Sequence, residues 1–272
     1  MTFNPAFIIS PEVLHTHLSD FIIIDIRERR AYIENHLPNA IWFDASLLNR
    51  NDAPRVGLLP APNELALHLG NIGISESSSV VVYDDQGGPA AGRFVWTTRA
   101  IGAQHVAMLD GGFNAWHHLR LPINTQLAIS RAAVTFKTAL KSESMVDATW
   151  IQANSANPAL CIIDARTPAE YRGEDVRSAH GGHIPNALNL NWLLTKDPDN
   201  SGRFKSPELL HRLFEATGIN PQQTIVSYCQ SHQRSALLCV LLEAMGYPQV
   251  KGYPGAWSDW GNRDDLPIET KS

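Results

Sequence analysis

Cysteine is scarce in this chain: three in 272 residues, widely spaced and with no Cys-x-x-Cys pair. Three cysteines cannot build a disulfide framework, and without a paired motif nothing in the sequence calls for a metal. Basic charge is also scarce. Lys and Arg number 22 against 27 Asp and Glu, a formal net charge of −5, so no positive field recommends nucleic acid or a membrane surface as partner. Long apolar runs are missing, and none approaches the roughly 20 residues a bilayer span requires. The opening Met-Thr-Phe-Asn-Pro-Ala-Phe-Ile-Ile-Ser lacks the basic stretch and long apolar core of a secretory signal. These absences together point to a reducing, cytoplasmic setting. What is present is ample core, with 44% hydrophobic and 18% charged residues, and length enough for two domains of ordinary size.

The chain repeats itself. Phe21-Ile22-Ile23-Ile24-Asp25-Ile26-Arg27 returns as Cys161-Ile162-Ile163-Asp164-Ala165-Arg166, each followed by a tyrosine, Tyr32 and Tyr171. His36-Leu37-Pro38-Asn39-Ala40 returns as His183-Ile184-Pro185-Asn186-Ala187, and Val80-Val81-Val82-Tyr83 as Thr224-Ile225-Val226-Ser227-Tyr228. Asp110-Gly111-Gly112-Phe113-Asn114-Ala115-Trp116 parallels Gly255-Ala256-Trp257-Ser258-Asp259-Trp260, and both copies close with Leu-Pro-Ile. Short apolar runs alternating with helical stretches predict parallel strands joined by crossover helices. The expectation is an α/β chain of two tandem domains of one fold, each a parallel-type sheet flanked by helices. They span residues 1–124 and 147–272, with 125–146 as a linker of some strand character around Ala133-Val134-Thr135-Phe136. Only the second copy carries the extra segment from Arg172 to Gly181.

Chemistry concentrates at Cys229-Gln230-Ser231-His232-Gln233-Arg234-Ser235, between a predicted buried strand and a predicted helix. The backbone N–H groups of such a loop, together with a helix N-terminus, favour negative charge and so favour a thiolate. Cys161 and Cys239 lie in apolar surroundings and read as small core residues. The first copy has Asp84-Asp85-Gln86-Gly87-Gly88-Pro89-Ala90 at the same place. A carboxylate is a poor sulfur nucleophile and would repel an anion at that helix start, so the first copy reads as architecture covering one side of the working site. Asp25, Arg27, Asp164 and Arg166, with His36 and His183, occur in both copies and therefore read as shared fold residues.

The landmarks together resemble the rhodanese superfamily, specifically its tandem two-domain sulfurtransferases, over nearly the whole chain. Asp-x-Arg after the first strand, Gly182-His183-Ile184-Pro185 followed by Ala187, and a nucleophilic cysteine in the second copy only carry that resemblance. The Cys229 loop is similar to that of bacterial thiosulfate sulfurtransferases reading Cys-Gln-Thr-His-His-Arg. The resemblance implies covalent catalysis without cofactor: Cys229 takes the sulfane sulfur of thiosulfate as a persulfide and hands it to a nucleophile, cyanide or a thiol. The N–H groups of Gln230, Ser231, His232, Gln233, Arg234 and Ser235 are suited to cradle the anionic persulfide. It also implies that Arg172 and Arg177, with Arg234 and His232 in the loop, hold the small anionic donor. A monomer is the family expectation.

Three other readings compete. Mercaptopyruvate sulfurtransferases share the architecture but carry a smaller loop, Cys-Gly-Ser-Gly-Val-Thr. Phosphatases on a related fold space the cysteine and arginine by five residues, whereas four separate Cys229 from Arg234. A non-enzymatic persulfide carrier or sensor would use the same cysteine.

Overall fold

The computed structural model describes residues 3–128 and 131–270. The apolar runs become strands because β-branched residues suit a sheet buried on both faces. The strands of the first half are β1 (Ile8–Ile9), β2 (Ile22–Asp25), β3 (Ile41–Trp42), β6 (Ser79–Tyr83) and β7 (His105–Leu109), with β4 (Arg50–Asp52) and β5 (Arg55–Leu58) as a polar, more exposed pair between β3 and β6 in the sequence. The second half contributes β8 (Leu160–Asp164), β9 (Leu188–Asn189), β10 (Thr224–Tyr228) and β11 (Val250–Gly252). They form two sheets, β1-β7-β6-β2-β3 and β11-β10-β8-β9, parallel throughout, plus the antiparallel hairpin β4-β5. Strand for strand, β2, β3, β6 and β7 match β8, β9, β10 and β11. The counterpart of edge strand β1 is reduced to a bridge between Met145 and Gly252.

The duplicated motifs hold this frame. Asp25 and Asp164 end their strands, and each takes the guanidinium of the arginine two residues on, all four side chains buried. Arg166 then donates to the Gly182 carbonyl at 2.6 Å, tying the strand end to the turn that carries His183. His183 Nδ1 lies 2.8 Å from the Tyr171 carbonyl, and His36 Nδ1 lies 2.8 Å from that of Tyr32. The indoles of Trp116 and Trp260 donate to the carbonyls of Pro122 and Pro267, closing each repeat on its Leu-Pro-Ile.

The halves meet through helices Pro89–Ala100 and Arg234–Ala244, which follow the central strands β6 and β10. Both are buried on nearly every side, as the apolar sequence of the second announces. Their approach depends on Gly92, where a Cβ would lie 2.6 Å from Cα of Leu237 and 2.9 Å from its nitrogen. Phe94, Val95 and Trp96 join Leu237, Leu238 and Leu241 in a core that runs through both halves. The outer faces of the two sheets keep separate clusters.

Residues 133–136 do not form the strand their composition suggests. The backbone from 134 to 141 serves the ends of helices instead. Val134 donates to the Gly70 carbonyl at the end of helix Pro62–Asn71, and Ala139 and Lys141 donate to Ile101 and Ala100. Orphan carbonyls at a helix end need donors, and this segment supplies them.

Gly92→Ala tests the helix contact. The added methyl meets backbone, so overpacking of about 1–3 kcal/mol should lower the melting temperature. A melting curve superimposable on wild type by circular dichroism would mean that the helices part without cost.

Candidate active site

β10 ends at Tyr228, and residues 229–233 turn before helix Arg234–Ala244 begins. His232 adopts the left-handed conformation, φ 55°, which turns successive N–H groups of the loop toward one centre. At that centre lies Cys229, 1% exposed. The Ser235 hydroxyl donates to its Sγ at 3.4 Å. Burial alone would raise the pKa of this thiol. The Arg234 charge, the Ser235 hydroxyl and the N–H groups of Ser235 and Ser231 outweigh burial, so it falls below the ordinary thiol value. The other cysteines move the opposite way. Burial pushes Cys161 up to about 11, and burial with the charges of Glu243 and Cys229 raises Cys239 well above the usual range.

Arg234 forks onto the carboxylate of Glu170 at 2.7 and 2.8 Å. Glu170 is fixed by a capping box with Thr167 at the start of helix Pro168–Tyr171. Burial would raise its pKa, but the hydrogen bond and charge of Arg234, with those from Thr167, hold it at about 2. Arg177 stands 3.8 Å from the same carboxylate and pairs with Asp175 at 2.7 Å. Glu170 thus gathers Arg234 and Arg177 on one side of the loop. Arg172 is paired at 2.7 Å with Glu174 in its own exposed segment. The Gln230 amide donates to Ser178 Oγ at 3.2 Å and to the Arg177 carbonyl at 3.3 Å, fastening that segment to the loop. The Gln233 carbonyl accepts the Leu237 N–H at 3.1 Å and starts the helix.

His232 is placed differently from the expectation that it faces the donor. Its side chain turns inward, fully buried, with Nδ1 2.7 Å from Ser235 Oγ. Burial, helped by the charge of Arg93, pushes its pKa well below the usual value, so it is a neutral ring beside the serine and does not face solvent or donor. Glu170 escapes a reading of the sequence, where Thr167-Pro168-Ala169-Glu170 signals only a helix start. The fold reveals that the capping carboxylate also serves Arg234.

The first half covers the loop with its hairpin β4-β5. Val56 N–H donates to the Ser258 hydroxyl at 3.0 Å, and that hydroxyl lies 3.0 Å from the Val56 carbonyl. The backbone of Gly57 sits so close to the Ser231 carbonyl that no Cβ fits between them.

In the first half, Asp84 follows Tyr83 as Cys229 follows Tyr228. Its buried carboxylate accepts the N–H groups of Gln86 and Gly88 on Oδ1, at 3.2 and 2.8 Å, and those of Ala90 and Ala91 on Oδ2, at 3.0 and 3.1 Å. The duplicated loop therefore cradles an anion, and Asp84 supplies that anion from within the chain.

The rhodanese-like domain family matches this chain twice, over residues 10–119 and 147–263. The chain is 38% identical to the thiosulfate sulfurtransferase of Azotobacter vinelandii over 264 residues, covering 96% of each chain. It is 31% identical to the 3-mercaptopyruvate sulfurtransferase of Escherichia coli over 242 residues, covering 88% of this chain and 84% of that one. In structure it is similar to the crystal structure of the Escherichia coli 3-mercaptopyruvate sulfotransferase SseA, with a TM-score of 0.81 at 28% identity over 94% of this chain and 99% of that one. Two copies of the matched domain, a duplicated parallel sheet and these relatives along the full length place the chain in the rhodanese family, as a sulfurtransferase with tandem rhodanese-like domains.

Proposed function

We propose that the chain is a thiosulfate sulfurtransferase working through a persulfide on Cys229. The Cys229 thiolate attacks the outer sulfur of thiosulfate; the S–S bond of the donor breaks, and its electron pair leaves with sulfite. Cys229 then carries an anionic persulfide. A second nucleophile, cyanide or a thiolate, attacks the terminal sulfur, leaves as thiocyanate or a new persulfide, and returns the Cys229 thiolate.

The observation that carries this reading is the pair of equivalent loops. A persulfide ends two bonds beyond Cβ, as a carboxylate oxygen of Asp84 does, and Asp84 is held there by four main-chain N–H groups. The Cys229 loop has the same descent and adds the Ser235 hydroxyl and the Arg234 charge. Such donors stabilise charge as it develops on the terminal sulfur. Arg234 and Arg177 are the cations disposed to hold the departing sulfite, with Glu170 keeping both oriented. Arg172 can join them on leaving Glu174, an exposed pair worth little to the fold. Thiosulfate is favoured over mercaptopyruvate by the bulkier loop carrying Arg234 and by the greater identity to the relative named for thiosulfate.

Mixing the reduced protein with thiosulfate, without acceptor, should add the mass of one sulfur atom to the wild type and nothing to Cys229→Ala; cyanide should then restore the mass. A gain with mercaptopyruvate alone would move the donor assignment. No gain with either would leave a carrier charged by a protein partner.

The lowered thiol pKa sets a second expectation. Alkylation of Cys229 by iodoacetamide, followed by peptide mass spectrometry, should rise with pH through a midpoint below the roughly 8.5 of an ordinary thiol. Arg234→Met removes the largest stabilising charge and should move that midpoint up by about one unit. An unchanged midpoint would show that Arg234 is fully neutralised by Glu170.

A further inference from the structure

The cysteine-free half sends one charged side chain beneath the loop. Arg93, on helix Pro89–Ala100, is 1% exposed. Its guanidinium donates to the His232 carbonyl at 3.3 Å and to the carbonyls of Leu48, Gly57 and Leu58 at 2.9, 2.8 and 3.2 Å. One planar fork thus spans three segments: the end of the 3-10 turn Ala45–Leu48, the covering hairpin and the Cys229 loop. The same guanidinium lies over the Trp96 ring, 5.5 Å from its centroid, and a buried cation held by carbonyl dipoles and a ring face has its charge partly uncompensated. Burial lowers the Arg93 pKa to about 9, opposed by the negative charge of Cys229, which leaves it charged at neutral pH.

A chain of contacts leads from this cation to the sulfur. Trp96, three residues on from Arg93, presents its ring at 81° to the His232 imidazole with centroids 4.3 Å apart. His232 Nδ1 is 2.7 Å from Ser235 Oγ, which is 3.4 Å from Cys229 Sγ. A hydroxyl has one proton to give. If it goes to sulfur, Nδ1 must carry the imidazole proton and donate to Oγ. A protonated ring beside Arg93 would be penalised by both charge repulsion and burial, so the ring remains neutral. The other groups facing this cluster are Arg234, with Glu170 and Arg177, and Cys239 of the following helix.

We propose that Arg93 is a positioning residue for the Cys229 reaction, contributed across the interface by the half that has no nucleophile. It holds the His232 carbonyl and the covering hairpin in register, so that neutral His232 aims the Ser235 hydroxyl at the sulfur, and its charge adds to the field that favours the thiolate. The proposal rests on Cys229 being the nucleophile.

The test uses the full chain with Arg93→Met and Arg93→Lys. Three readouts are compared with wild type: thermal melting, the pH midpoint of Cys229 alkylation by iodoacetamide, and kcat and KM for thiosulfate with cyanide. Arg93→Met should raise the midpoint by about half to one unit and lower kcat about tenfold, with KM changed much less. Arg93→Lys keeps the charge but, with a single nitrogen, cannot serve both the His232 carbonyl on Nη1 and the carbonyls of Leu48, Gly57 and Leu58 on Nη2; it should restore most of the midpoint and still lose turnover. A folded Arg93→Met with wild-type midpoint and kcat overturns the proposal. If Arg93→Met fails to fold, a folded Arg93→Lys with wild-type kcat and midpoint overturns it, because Arg93 would then serve the fold alone. Should thiosulfate leave Cys229 unmodified in the wild type, the reaction assignment fails, while the alkylation midpoint still decides the role of Arg93.

Discussion

Because Gly92 has no Cβ, helix Pro89–Ala100 lies directly on helix Arg234–Ala244, and the geometry of the site follows from that contact. The second helix begins with Arg234 and Ser235, the residues that act on Cys229. The first carries Arg93 to the far side of the same loop. With the helices seated, hairpin β4-β5 closes on Ser231 and Ser258, and the loop is held from both halves. A wider spacing would open the core at Leu237 and withdraw the hairpin together.

One loop shape answers one electrostatic demand in two ways. Parallel strands deliver a loop at their C-terminal ends, and the helix that follows turns its N–H groups toward it. In the first half those donors are satisfied by Asp84, an anion that cannot leave. In the second half the N–H groups of Ser231 and Ser235 act on the sulfur of Cys229, which the proposed cycle would charge and discharge. The loop sequences diverge throughout, Asp84-Asp85-Gln86-Gly87-Gly88-Pro89-Ala90 against Cys229-Gln230-Ser231-His232-Gln233-Arg234-Ser235, while Asp-Arg pairs, histidine turns and indole contacts remain common to both halves.

Much of this was legible in the residues, for reasons that are local. The apolar runs around Ile23, Val81, Ile162 and Val226 announce central strands because burial on both faces leaves no alternation to blur them. Cys229 stands out because polar residues follow it where the other cysteines have leucines and isoleucines. What sequence hides is what distance decides. Arg93 sits in Gly92-Arg93-Phe94 like any polar position of a helix, and its partner His232 is 139 residues away. His232 reads as a loop residue facing the donor, but the positive φ that curls the loop also folds its ring into the interior. The β-prone stretch 133–136 was claimed by unsatisfied carbonyls at helix ends, a demand invisible until the helices are placed.

The fork of Arg93 has a consequence for how this duplicated chain can be inherited. A copy that loses its nucleophile would ordinarily be free to drift. Here it holds its sister's loop through one guanidinium, bonded to the His232 carbonyl, and through one hairpin packed on Ser231. A mutation in the cysteine-free half would then surface as a defect in sulfur chemistry rather than as a silent change. The two copies would be bound to vary together, and neither could be exchanged alone for the corresponding half of a distant relative.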